Sequence, residues 1–325
     1  MIYKQVSSIK EPISAIGIGC WNFGGGWDSS CEKNSVSMVH AALDAGINLF
    51  DVAPVYGYGV SETILGKALQ GRRDKAIIAT KAGIKWDDSK NTRFDLSKDS
   101  ILSEIEDTLT RLGTDYVDIY QMHWPDPSTP LSETAEALSQ LRKSGKIRYV
   151  GLSNFSQADV EALMGMVGVE CQQSLYNMLE RNPTSYHEIP LVYRTEDEVL
   201  PNAEKWGQAF LPYSPLFQGL LAGKFTDGID FSRKDVRSSN PKLVGPEFRR
   251  YLAAANEIHK IANELGRPME QLALNWLRQK SGVTSIISGA SSPAQVGTNA
   301  GSCEWDISEA DMARLDAIVE PFKYA

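Results

Sequence analysis

The 325-residue chain is 42% hydrophobic, enough for a substantial core, and disorder is excluded. One large domain over residues 1–325 is expected, since barrels of roughly 250 residues or more form single domains. Lys and Arg number 33 against 41 Asp and Glu, a net charge of -8 with no basic run, which argues against nucleic acid and anionic membrane surfaces as partners. No apolar run approaches the ~20 residues of a membrane span, and the N-terminus MIYKQVSSIKEPIS lacks a signal-peptide core, so a cytoplasmic protein is expected. Cys20, Cys31, Cys171 and Cys303 are scattered without a CxxC pair and read as packing residues, neither a disulfide framework nor a zinc site.

A short hairpin is predicted over residues 2–13 and a first buried strand over 15–19. The glycine-rich, aromatic loop CWNFGGGWDSS separates that strand from a helix at about 34–45. A strand follows at 48–51 and a helix at 61–69. The third strand, 75–81, carries the continuous apolar run Ala76, Ile77, Ile78 and Ala79, which marks burial on both faces. A helix at about 97–112 sets Leu102, Ile105, Leu109 and Leu112 at helical spacing, and the strand 116–122 leads into His123. Next come a helix at 131–144 and a strand at 147–153; Ser156 then caps a helix to about 167, and 169–174 is the sixth strand. Residues 196–206 are helical, 209–213 form the seventh strand, and a long connection with several glycines and prolines runs over 214–246. Helices at about 246–265 and 268–280, an eighth strand at 284–287, and helices near Pro293 and over 308–318 complete the chain.

Eight strands alternating with helices, without a break in composition, predict a closed (β/α)8 barrel of the TIM type, preceded by a hairpin and followed by extra helices. A doubly wound dinucleotide fold would want GxGxxG between the first strand and helix; Gly24, Gly25 and Gly26 have neither that spacing nor a helix at once afterwards. In a barrel the chemistry sits at the C-terminal ends of the strands. There the chain places Asp51, with Tyr56 just beyond, then Lys81, then His123. Taken singly, each could be a turn cap, a packing aromatic or a solvated loop residue.

The stretch GINLFDVAPVYGYGVSETILG resembles the first signature of the aldo-keto reductase superfamily, with Asp51, then Tyr56 five residues later, and Ser61, Glu62 and Gly66 opening the next helix. Asp, Tyr, Lys and His in this order on three successive strand ends match that family's catalytic tetrad. Carbonyl reduction by a nicotinamide needs a proton on oxygen, hence an acid within ~3 Å of the nascent alkoxide. The resemblance implies that Tyr56 is that acid. A lysine beside the phenol is expected to lower its pKa from ~10, while Asp51 keeps Lys81 charged and in place. His123 would orient the substrate oxygen and, at some pH, help shuttle the proton. His40, His187 and His259 read as structural or solvated.

The resemblance extends along nearly the whole chain. It implies that Ser153, Asn154 and Gln173 hydrogen-bond the nicotinamide carboxamide and that Tyr213 stacks on the ring. Ser214, Leu216, Gln218, Gly219, Leu221, Gly223 and Lys224 would line the pyrophosphate, with glycines letting backbone approach phosphate. Gly289, Ser291, Gln295 and Asn299 match the adenosine segment at a helix start. Many relatives place Arg or Lys near positions 291 and 292 to grip the 2′-phosphate; here both are serines, so NADP(H) is favoured with NAD(H) possible.

Trp21, Trp27, Trp86 and Trp124 fall in loops on the strand C-terminal side and would wall a pocket for an aldehyde, ketone or sugar. The WPDP after His123 and the segment DVRSSNPKL resemble the bacterial branch that includes general-stress aldo-keto reductases, without naming a substrate. Three other readings stay open: a sugar dehydrogenase running oxidatively, a slow-turnover regulatory subunit that keeps the cofactor, and a barrel aldolase using Lys81 as a Schiff base. The complete tetrad favours the reductase.

Overall fold

The computed structural model describes residues 1–25, 32–232 and 235–324. β1 (Tyr3–Val6) and β2 (Ile9–Ser14) pair as the antiparallel hairpin. In chain order there follow β3 (Ile16–Gly19), α1 (Glu32–Asp44), β4 (Leu49–Asp51), α2 (Val60–Ala68), β5 (Ile77–Ala82), β6 (Ile84–Trp86), β7 (Thr92–Phe94), α3 (Lys98–Leu112), β8 (Val117–Met122) and α4 (Leu131–Lys143). The second half holds β9 (Ile147–Ser153), α5 (Gln157–Val167), β10 (Cys171–Leu175), β11 (Ser185–Tyr186), β12 (Ile189–Pro190), α6 (Leu200–Trp206), β13 (Ala209–Tyr213), α7 (Pro246–Glu264), α8 (Met269–Arg278), β14 (Ile286–Gly289), α9 (Pro293–Ala300) and α10 (Glu309–Val319).

Eight strands form one parallel sheet in the order β13-β10-β9-β8-β5-β4-β3-β14. Its two edges meet: the Thr284 N–H donates to Phe210 O at 3.0 Å and the Phe210 N–H to the Thr284 hydroxyl at 3.1 Å. The sheet is therefore an eight-stranded, nearly closed barrel wrapped by helices, as the alternation predicts. Those same bonds explain why β14 starts at Ile286, two residues later than expected, since Thr284 and Ser285 turn towards β13.

Two apolar cores result. Leu49, Ile77, Ala79, Ile119, Cys171, Ala209, Leu211 and Ile287 point into the barrel, where Ile9 and Ile13 of the hairpin join them. A second, larger core fills the space between strands and helices. On α3 it takes Ile101, Ile105, Leu109 and Leu112, with Leu102 only partly buried. Each fully buried aliphatic side chain contributes about 1.5–3 kcal/mol. Ser156 caps α5 as expected, its hydroxyl accepting the Asp159 N–H at 3.1 Å. The helix expected over 196–206 is instead a π-helical turn, Thr195–Val199, leading into α6. Pro201, near the start of α6, has no N–H to carry regular helical bonding across the junction.

The long connection contains 3₁₀ turns at Phe217–Ala222 and Val236–Ser239. Not foreseen were the hairpins β6–β7 and β11–β12, both on loops that follow barrel strands. Among the described residues no helix is long and apolar enough to cross a membrane.

Candidate active site

Asp51 closes β4, Lys81 stands one residue from the end of β5, and His123 follows β8, so the barrel brings three strand ends together with Tyr56 on the turn after β4. Lys81 is completely buried. Its Nζ lies 2.6 and 2.7 Å from the two Asp51 oxygens, 3.1 Å from the Val52 carbonyl and 3.3 Å from the Tyr56 hydroxyl. An ammonium has three hydrogens, and these contacts use all of them. Tyr56 therefore accepts from Lys81, and its own hydrogen stays available as a donor. The His123 ring meets the Tyr56 ring edge-on with centroids 5.9 Å apart. Among the described residues no hydrogen bond reaches its imidazole.

Glycine makes the turn after Tyr56 possible. Gly57 adopts φ 64°, and a Cβ there would fall 2.4 Å from the Cα of Gly24, so the two loops pack backbone against backbone. The Ser61 hydroxyl adds a 2.6 Å bond to Cys20 O. The turn bearing Trp21 is thereby fastened to the turn bearing Tyr56.

The electrostatics correct one expectation. Burial, and then the Asp51 carboxylate, push the Tyr56 phenol well above its ordinary value. Lys81 does not win, because its charge is matched by Asp51 at 2.6 Å. Tyr56 is thus a protonated phenol across the neutral range. His123 is held well below the usual imidazole value by burial and by Lys81, so at neutral pH it is uncharged and not a cationic shuttle.

A layer of amides lies beside the ion pair. Gln173 Nε2 donates to Asp51 Oδ1 at 2.8 Å and to Gln121 Oε1 at 3.2 Å. Gln121 is fully buried, and its side chain crosses Gly151 of the adjacent strand, where a Cβ would come within 2.6 Å of Gln121 Cγ. Asp51 is an acceptor, so it turns the NH₂ of Gln173 inward. Among the described residues nothing donates to Gln173 Oε1. Ser153 is the register partner of Gln173 on β9; its Oγ accepts from Asn154 Nδ2 at 3.0 Å, which leaves its own hydrogen to donate.

Asn154 is differently placed. Its Nδ2 donates to Ser153 Oγ and to His123 O at 3.2 Å, and its Oδ1 accepts from the hydroxyls of Tyr193 at 2.9 Å and Tyr213 at 3.0 Å. Two donors and two acceptor sites are all a primary amide has. The structure gives it four protein partners, where the sequence suggests a ligand contact.

Tyr213 ends β13 against the Tyr186 ring, centroids 5.5 Å apart. After it the backbone winds left-handed at Ser214, Phe217, Gln218, Gly219 and Gly223, pinned by the buried side chains of Phe217, Leu220 and Leu221. Leu216 is partly buried and Lys224 exposed. Gln218 is bridged to His187 of the β11–β12 hairpin and accepts from Asn240 at 3.0 Å. Around the start of α9, Ser292 is the cap, while the Ser291 N–H and hydroxyl both donate to Gln295 Oε1, at 2.7 and 2.9 Å. Asn299 is buried and donates to Gly289 O at 3.2 Å.

Of the tryptophans, Trp86 stands on β6 edge-on to Tyr58, and Trp124 stacks with Phe94 of β7 at 6.4 Å. Trp21 is partly exposed on its turn, and Trp27 lies outside the described residues, as does Cys31. Sequence reasoning missed Gln121, Tyr193, Tyr186 and Phe94. Gln121 carried a signal, since it shares the alternating face of Ile119 and His123 in YVDIYQMH. Tyr193 carried none, being brought in by a long connection.

Residues 15–320 match the model of a family described as the aldo/keto reductase family. The chain is 36% identical over 324 residues, 98% of its length and 94% of the relative's, to the aldo-keto reductase YhdN of Bacillus subtilis (strain 168). It is 31% identical over 325 residues, covering 95% of each, to the NADH-specific methylglyoxal reductase of Escherichia coli (strain K12). Among solved structures it resembles the glycerol dehydrogenase AKR11B4 from Gluconobacter oxydans, with a TM-score of 0.87 at 36% identity over 98% of this chain and 95% of that one.

Proposed function

The chain belongs to the aldo/keto reductase family of NAD(P)-dependent oxidoreductases, and on that premise we propose that it reduces small aldehydes and ketones with Tyr56 as the proton donor. The observation that carries this is the Lys81 ammonium, whose three hydrogens go to Asp51, Val52 O and the Tyr56 oxygen. That arrangement turns the phenol hydrogen outward. Tyr56 gives its proton to the carbonyl oxygen, and the Lys81 N–H at 3.3 Å remains hydrogen-bonded to the oxygen left behind. A neutral His123 aligns the same oxygen through its ring N–H. The Schiff-base alternative loses support, because Lys81 offers no free lone pair while ion-paired at 2.6 Å.

The residues fit a nicotinamide cofactor, which when bound supplies the hydride. Among the described residues nothing takes the Ser153 O–H or donates to the carbonyl oxygen of its register partner Gln173, a donor and an acceptor side by side. A primary carboxamide carries the complementary acceptor and donor. Tyr213 supplies an aromatic face nearby. At the start of α9 positions 291 and 292 are both serine, so neither supplies a guanidinium for a 2′-phosphate. NADP(H) is therefore favoured only modestly, with NAD(H) accepted as well.

A buried, protonated phenol suits reduction. The oxidative direction, which the glycerol dehydrogenase relative brings to mind, needs phenolate and is therefore favoured by rising pH. The test is oxidation of NADPH and of NADH over a panel of short aldehydes, including methylglyoxal, ketones and sugars at neutral pH. Turnover of the aldehydes supports the reading, and none with any carbonyl compound refutes it.

A further inference from the structure

We propose that Tyr193 is a positioning residue of the nicotinamide site, acting through Asn154 on Tyr213, Ser153 and the segment of His123; this rests on the cofactor reading above. Tyr193 comes from the connection after β12, is 1% exposed, and belongs to no barrel strand. Its hydroxyl does two things at once. It donates to Asn154 Oδ1 at 2.9 Å and accepts the Leu175 N–H at 3.3 Å, which joins the end of β9 to the end of β10. Tyr213, at the end of β13, donates to the same Asn154 oxygen at 3.0 Å. One amide oxygen and two phenols thus tie together three strand ends.

The consequence runs through the Asn154 amide. With both lone pairs of Oδ1 engaged by phenols, its NH₂ must face the other way, onto Ser153 Oγ and His123 O. Because Ser153 Oγ is occupied as an acceptor, its hydrogen is directed outward as the donor of the donor–acceptor pair. Were the amide to turn over, two phenol hydrogens would face an NH₂ and the Ser153 hydroxyl would lose its orientation. Asn154 also sits at φ 65°, a left-handed conformation that asparagine tolerates better than most residues but that still needs holding in place. Tyr193 supplies one of the two hydroxyls that hold Asn154 Oδ1. It differs from a packing tyrosine because its hydroxyl is bonded on both sides and shares its acceptor with the aromatic residue of the site.

The test is a double-mutant cycle of Tyr193→Phe and Tyr213→Phe, read as the dissociation constant of NADPH, and of NADH, by fluorescence titration of purified protein. Both changes remove only a hydroxyl. We expect each single variant to bind about 3- to 10-fold more weakly, the worth of one hydrogen bond. The double variant should be no weaker than about the poorer single, because the shared clamp is already lost. Melting without cofactor, measured in parallel, registers the unpaired Leu175 N–H, a cost present in both backgrounds that cancels in the cycle. If Tyr193→Phe lowers the melting temperature yet leaves both dissociation constants unchanged, or if the two effects multiply, Tyr193 is a packing residue and the proposal is overturned. If the unaltered protein binds neither nucleotide, the cofactor reading itself falls and takes this inference with it.

Discussion

Glu104→Gln should leave stability unchanged in acid and raise it in alkali. Glu104 lies on α3, 4% exposed, and its Oε2 accepts the Gly83 N–H at 3.1 Å where the chain leaves β5 for the β6–β7 hairpin. Lys85 Nζ stands 3.9 Å away, beyond hydrogen-bonding reach, and the Glu62 carboxylate adds a like charge. Burial therefore dominates and raises the carboxyl from 4.5 to about 7. Below 4.5 it is protonated whether the chain is folded or not, and makes no pH-dependent contribution. Between 4.5 and about 7 the unfolded chain has lost the proton that the native state keeps, so stability falls as pH rises. Above that window the full cost of a buried carboxylate is present. At about 1.4 kcal/mol per pH unit the window amounts to about 3 kcal/mol. Glutamine keeps an oxygen for the Gly83 N–H and has no charge to bury. Urea unfolding of both proteins at about pH 5 and about pH 8.5 should show a variant more stable by under ~1 kcal/mol at the first and by about 3 kcal/mol at the second. A gap that is the same at both pH values would refute the argument, since every other titrating group is common to the two proteins.

The other predictions concern the chemistry. Tyr56→Phe should lower reductive turnover by about 10² to 10⁴, the usual worth of general acid catalysis, while NADPH titration shows nearly unchanged affinity; wild-type turnover would exclude Tyr56 as the acid. Because the folded phenol is pushed up by burial and Asp51, reductive turnover should stay flat through neutral pH and decline only above ~10, whereas alcohol oxidation should climb over the same alkaline range. His123 is uncharged well below its ordinary value, so a reductive pH profile with an acidic limb near ~6.5 would contradict that assignment. Ser291→Arg, which leaves the Ser292 cap of α9 in place, should tighten NADPH more than NADH, since only NADPH offers a phosphate to the new guanidinium. Equal changes for both nucleotides would mean that the adenosine phosphate lies elsewhere.

What could be read from the sequence follows from the range of the interactions involved. Strands β9 and β13 were bounded to the residue, and the α5 cap to its serine, because alternation and capping are local. Asp51, Lys81 and His123 were legible because each sits at a strand end, and a parallel barrel gathers strand ends by construction. The β6–β7 hairpin was not legible. Its sequence, IKWDDSKNTRF, has short strands of mixed polarity, and the pairing of Ile84 with Phe94 is stabilised by contacts with Tyr58 and Trp124 from other loops. Tyr193 was hidden for the same reason, since its partners Asn154 and Leu175 lie 39 and 18 residues away.

The ionisation of Tyr56 shows a different limit. Residue types alone supply a lysine, a carboxylate and a phenol, and the sign of the phenol's shift depends on which pair is closest. At 2.6 Å the carboxylate holds the lysine more tightly than the phenol does at 3.3 Å, so the pair presents little net charge to Tyr56 and burial decides. The same closeness fixes where the phenol proton points. Lys81 occupies the Tyr56 oxygen as a donor, so the one hydrogen Tyr56 owns is directed away from Lys81. A lysine that lowered the phenol's pKa below neutrality would leave Tyr56 ionised, with no proton to give. A lysine already paired with Asp51 leaves Tyr56 an acid, and for carbonyl reduction it is the acid that must be present before the substrate arrives.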